Sequence, residues 1–141
     1  MSNILIVDDS LVMRKNLKTI LTEAGHTVVA EAANGTQAYK EYIRHLPDLV
    51  TMDITMPFMN GVDALKKIIN EFPDAKIVIV SIANNNRIIL EAMQCGAANY
   101  VLKPFTVEKV IHVINQVLKI NEPVSSETVG KIYRALHSQQ L

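Results

Sequence analysis

The chain has little of what marks a special architecture. Its 141 residues include one cysteine, no tryptophan, five glycines and five prolines, and aromatic side chains make up only 5%. A single thiol, Cys95, excludes a disulfide framework and a cysteine-based zinc cluster; lying in a helical pattern, it reads as a half-buried structural thiol. The shortage of Gly and Pro, set beside a hydrophobic fraction of 49%, argues against a disordered chain. Lys plus Arg and Asp plus Glu number 14 each. With no cationic excess, direct nucleic-acid binding is not expected. No run approaches the roughly 18 apolar residues of a membrane span, and no basic and apolar leader follows Met1. A cytoplasmic location without membrane contact is the expectation. His26, His45, His112 and His137 are scattered without metal-ligand spacing and are assigned surface or helix-end positions.

What is present is alternation. Short runs rich in Val and Ile, at 3 to 7, 27 to 31, 48 to 53, 75 to 81 and 98 to 102, are bounded by Asp, Asn, Pro or Gly and read as strands. Between the first two, Met13, Leu17, Ile20 and Leu21 share a helical face, with Ser10 as its cap and Gly25 as its stop. Helical periods recur at 35 to 45, 61 to 71, 85 to 95 and 106 to 119; in the last, Val110, Ile111, Ile114, Val117 and Leu118 line one face. The pattern is α/β, a (βα)5 doubly wound parallel sheet. Right-handed crossovers place helices on both faces and bring the third and fourth strand-to-helix loops near the first.

That topology gathers polar residues at one edge, where ligands bind in open parallel sheets. Asp8 and Asp9 follow the first strand, Asp53 the third, Ser81 closes the fourth, and Lys103-Pro104 follows the fifth. Taken singly, each has an ordinary reading: the acid pair as a helix cap, Ser81 as another, Lys103 as a solvated lysine. Together, three carboxylates this close repel one another unless a cation intervenes. Magnesium suits the set, because it takes oxygen ligands, often one or two carboxylates plus a phosphate. Asp53 is then the best nucleophile, since a carboxylate can accept a phosphoryl group as an acyl phosphate. Lys103 can pair with a carboxylate at rest and with phosphate oxygens afterwards. Pro104 suggests a specific turn that aims Lys103 inward, with a cis peptide as one way to make it.

The phrases ILIVDDS at 4 to 10, LVTMDITMP at 49 to 57 continuing to Gly61, and YVLKPF at 100 to 105 resemble the response-regulator receiver domain, particularly its stand-alone CheY-like chemotaxis members. The likeness covers about residues 1 to 120, leaving 121 to 141 as a linker and a C-terminal helix. It implies the flavodoxin-like sheet order 2-1-3-4-5. It further implies Asp53 as phosphoacceptor from a histidine kinase, Asp9 and Asp53 as direct Mg2+ ligands together with the Thr55 carbonyl, and Asp8 as a ligand through water. Ser81 and the Ile82 backbone N–H would bind phosphoryl oxygens with Lys103. Tyr100 matches a switch aromatic, although by itself it reads as an edge-strand aromatic covering a helix. The implied protein is a self-modifying two-component switch rather than an enzyme with an external substrate. Its target would dock on the face of the fourth helix, fifth strand and fifth helix.

Ile82 departs from the family, which usually has Ala or Gly there, and a branched side chain would crowd the phosphoryl site and slow its chemistry. Two alternatives remain beside the leading reading. One is the receiver portion of a longer transcriptional regulator. The other, a phosphatase with an aspartate nucleophile, expects a second acid two residues on, where Thr55 stands. In the tail, Val129, Ile132, Tyr133 and Leu136 fall at helical spacing, so a sixth helix is predicted over 126 to 137, capped by Ser125 and separated by Pro123. Its apolar face needs a partner: its own receiver, a second copy in a homodimer, or an output domain.

Overall fold

The computed structural model describes residues 2–121 and 124–139. Five parallel strands, β1 (Asn3–Val7), β2 (Thr27–Ala32), β3 (Leu49–Met52), β4 (Ile77–Ser81) and β5 (Asn99–Leu102), stand in the order β2-β1-β3-β4-β5. The inner strands β3 and β4 are buried throughout, and β1 beyond Asn3, which is why they read as continuous apolar runs. Side chains alternate between faces. Leu5 and Val7 enter one core, roofed by α2 (Gly35–His45), α3 (Gly61–Glu71) and α4 (Asn86–Gln94). Ile4 and Ile6 enter the other, under α1 (Leu11–Glu23) and α5 (Val107–Leu118). Because the chain turns to β2 on one side of β1 and then crosses to β3 on the other, right-handed connections force this division of helices.

Side-chain oxygens start these helices by accepting first-turn N–H groups: Ser10 from Met13, Asn34 from Gln37, Asn60 from Asp63, Asn85 from Arg87 and Thr106 from Lys109. Helices α4 and α5 are each one residue shorter at both ends than their sequence pattern, because Asn85, Cys95, Thr106 and Lys119 act as caps. Gly25, at φ 97°, ends α1 in the left-handed conformation, as expected of it. Strand β4 begins at Ile77 instead of 75, since Ala75 N–H closes a turn onto Phe72 O. β3 and β5 are also shorter than their sequence runs, and β2 extends to Ala32. His26 is at the end of α1 but buried, and burial lowers its pKa.

The sixth helix, α6 (Ser126–Gln139), forms with Ser125 Oγ accepting from Thr128 N–H at 3.1 Å. It packs on its own receiver, against α1 and α5. Ile132 is fully buried there, with Val129 and Leu136 partly buried beside it. Tyr133, at the margin, donates to Glu108 Oε2 at 3.0 Å. The break expected at Pro123 lies outside the described residues. No described helix is long and apolar enough to cross a membrane.

Candidate functional site

Parallel pairing brings the expected residues to one edge. Asp53 follows β3, its N–H bonding Val7 O at 2.9 Å, and Asp8 follows β1, its N–H bonding Ala32 O at 3.0 Å. Lys103 N–H bonds Ser81 O at 2.9 Å, which holds the end of β5 against β4. The Lys103–Pro104 bond is cis. From there the ammonium reaches two carboxylates distant in sequence, lying 2.7 Å from Asp8 Oδ2 and 3.3 Å from Asp53 Oδ2. The shorter contact is to Asp8. The other Asp8 oxygen, Oδ1, accepts Ser10 N–H at 2.9 Å, so both its oxygens have partners. Asp53 Oδ1 has a long contact from Thr55 N–H, at 3.4 Å, and Thr55 itself is exposed.

Asp8 and Asp53 are nearly out of solvent, at 1% and 6% exposure, whereas Asp9 is exposed. Burial raises the pKa of Asp8; the Lys103 hydrogen bond and charge and the Ser10 N–H oppose this, and the Asp53 charge adds to it. One ligand oxygen from each of Asp8, Asp9 and Asp53 lies within 4.8 Å of the others. An octahedral magnesium with bonds of about 2.1 Å needs oxygens separated by about 3 to 4 Å. Modest side-chain adjustment closes that gap. An all-oxygen donor set, partly buried and with one acid still destabilised by its surroundings, fits a hard divalent cation.

Ser81 is fully buried, and its Oγ accepts Ala83 N–H at 3.2 Å. Tyr100 donates its hydroxyl to Ala83 O, tying β5 to the loop after β4. Burial raises the pKa of that hydroxyl; a hydrogen bond with Ser81 lowers it, and the Asp53 charge raises it again. Ile82, which follows Ser81, is largely solvent-exposed, at 68%. Some participants carry no sequence signal. Arg14 Nη1 donates to Asp8 O at 2.7 Å while its Nε reaches Glu31 at 3.1 Å, and a lone arginine on an amphipathic helix does not announce such a role. Gly35 and Gly61 grip the loop after Asp53: their N–H groups bond Met59 O and Ile54 O, both at 2.9 Å. A Cβ on Gly61 would strike Asp53 O, and one on Gly35 would strike Met59 O.

The response regulator receiver domain family matches residues 4–115. The chain is similar to the chemotaxis protein CheY of Thermotoga maritima, 46% identical over 116 residues that make up 82% of this chain and 97% of that one. Against CheY of Bacillus subtilis it is 47% identical over 115 residues, 82% of this chain and 96% of the relative. Among solved structures, a CheX-CheY-BeF3-Mg+2 complex from Borrelia burgdorferi superposes with a TM-score of 0.80 at 33% identity, covering 82% of this chain and 87% of that one. Because sequence and fold agree along nearly the full length of these relatives, the chain belongs to the response regulator receiver domain family.

Proposed function

We propose that this receiver takes a phosphoryl group on Asp53 from a histidine kinase, with magnesium, and thereby changes its affinity for a protein target in a chemotaxis-like pathway. The observation that carries this reading is the position of Lys103 Nζ, in contact with both Asp8 and Asp53 beside three converging carboxylates. The names of the two CheY relatives support the pathway. An Asp53 oxygen attacks phosphorus; the O–P bond forms as the P–N bond of phosphohistidine breaks, and the electron pair stays on the imidazole nitrogen. Magnesium, when bound, offsets the negative charge of both reactants. Asp9, Asp53 and the Thr55 carbonyl would hold it directly. Asp8, with both oxygens engaged by Lys103 and Ser10, would hold it through water.

Lys103 then exchanges a carboxylate contact for a phosphoryl oxygen. Ser81 Oγ accepts Ala83 N–H, and its hydroxyl hydrogen would turn from Tyr100 to the phosphoryl group, with Ile82 N–H as a second donor. Pulling on Ser81 and Ile82 moves the loop to which Tyr100 is tied through Ala83 O. The added charge thus interacts differently with two arrangements of that loop, and only such a difference shifts their populations. The target face is α4, β5 and α5, where Leu90, Met93 and Leu102 are exposed. Turnover is confined to the protein's own phosphorylation and its reversal, in the cytoplasm.

Acetyl phosphate with magnesium should add one phosphoryl group at Asp53, and Asp53→Asn should remain unlabelled. Full labelling of that variant, or labelling indifferent to magnesium, overturns the reading.

A further inference from the structure

Phe58 is the residue that folding explains least. It is 91% exposed, and its φ of 67° holds a bulky side chain in the left-handed region that suits glycine or asparagine. The ring contributes nothing to either core. Its backbone is nonetheless imposed from both sides, because Gly61 N–H holds Ile54 O and Gly35 N–H holds Met59 O, pinning the loop that carries it. A large apolar ring is therefore presented to solvent from a pinned backbone, on the same loop as Asp53.

Neighbouring loops present similar side chains. Leu11 and Val12, 54% and 67% exposed, open α1 just after the acid pair, and Ile82, at 68%, follows Ser81. β1, β3 and β4 are adjacent, so all four side chains belong to the sheet edge that holds Asp53. Asp53 itself is only 6% exposed, at the bottom of a recess. A small phosphodonor brings little surface beyond the group it transfers. A donor group carried on a protein brings surrounding surface that must rest on these loops, and they offer apolar contact.

On the assignment of Asp53 as phosphoacceptor, we infer that Phe58 is a specificity-determining residue that selects protein phosphodonors, its ring anchoring the surface around the donor histidine. Ile82, Leu11 and Val12 add apolar contact from the flanking loops. A loop whose backbone is pinned before binding loses little freedom on association, and buried aromatics carry a large share of interface energy. The ring takes no part in bond making or breaking.

Two donors tested on the same protein distinguish this role from others. Wild type, Phe58→Asn and Phe58→Tyr are labelled with acetyl phosphate and, separately, with each histidine kinase of the source organism after autophosphorylation with ATP. Asparagine tolerates the left-handed backbone, and melting curves check that each variant is folded. The ratio of kinase-driven to acetyl phosphate-driven labelling should fall about tenfold in Phe58→Asn and recover in Phe58→Tyr. Should Phe58→Asn fail to fold, Val12→Ser on a separate element gives the same comparison, with a smaller fall expected. An unchanged ratio overturns the inference. So does an equal fall with both donors, which would put Phe58 in the acceptor pocket. Labelling of wild type by acetyl phosphate but by no kinase removes the inference and leaves Asp53 standing; labelling by no donor removes the phosphoacceptor reading itself.

Discussion

Asp8 and Ile132 are both buried, at 1% and 0% exposure, yet they act on stability in opposite directions. Ile132 faces from α6 into the α1 and α5 layer, where burial among apolar side chains removes apolar surface from water. Asp8 sits in the recess at the sheet edge, where burial disfavours its charge and Asp53 adds repulsion that Lys103 only partly offsets. One region is packed for stability. The other holds a charge excess that a cation or a phosphoryl group can relieve or exploit, so its cost to the fold is tied to its chemistry.

The largest effect is expected from Lys103→Met. Removing the ammonium leaves Asp8 and Asp53 buried without their cation, and in the presence of a chelator the protein should lose about 3 kcal/mol of unfolding free energy. Millimolar magnesium should restore much of it. Urea melts with and without the ion measure both; a loss that is the same in magnesium and chelator would mean that the acids do not share an ion site.

Next comes the apolar region. Ile132→Ala should cost about 2 kcal/mol, the low end for a buried isoleucine because α6 can partly collapse onto the gap. Cutting the chain after Ile120 should lower the melting temperature or change the oligomer. Identical melting and elution of the cut and full chains would show that α6 does not stabilise the receiver.

A smaller effect, of opposite sign, is expected from Asp8→Asn. The folded-state pKa of Asp8 lies above its ordinary value of 3.8, so over that window the folded form binds more protons than the unfolded one. Stability is therefore lost as pH rises above 3.8 and through the raised pKa. The asparagine variant should melt higher than wild type at pH 7 in chelator, with the gap closing as pH falls towards 3.8. Calorimetry across that range checks the sign; a variant that melts lower at pH 7 would show the Lys103 pairing to outweigh burial. The smallest change is Tyr133→Phe, which removes the exposed bond to Glu108 and should cost about 0.5 kcal/mol in denaturant melts.

The strand-end residues were legible because the argument for them is topological. A run such as Ile4 to Val7 followed by Asp8-Asp9 can be read without coordinates, and parallel strands with right-handed crossovers then have only one edge to which Asp53, Ser81 and Lys103 can be delivered. Caps such as Ser10 and Ser125 are legible for a similar reason, since they act within three residues of themselves. Arg14 was not legible, because its contact with the Asp8 carbonyl depends on how α1 lies across the sheet. The Tyr100 link to Ala83 O joins side chain to backbone across 17 residues, and a carbonyl leaves no mark in a sequence. For α6, the spacing of Val129, Ile132, Tyr133 and Leu136 shows that an apolar face exists but not which surface covers it.

The order of residues is enough to specify the alternation of strands and helices, the edge that carries the acids and the lysine, and the existence of a sixth helix. All three follow from periodicity and local hydrogen bonding, which act over a few residues. It takes the packed fold to put Lys103 nearer Asp8 than Asp53, to lay α6 over α1 and α5 of its own receiver, and to expose Phe58 on a left-handed backbone. Those outcomes depend on distances between residues far apart in the chain, where packing and burial choose among arrangements that the local pattern leaves equivalent.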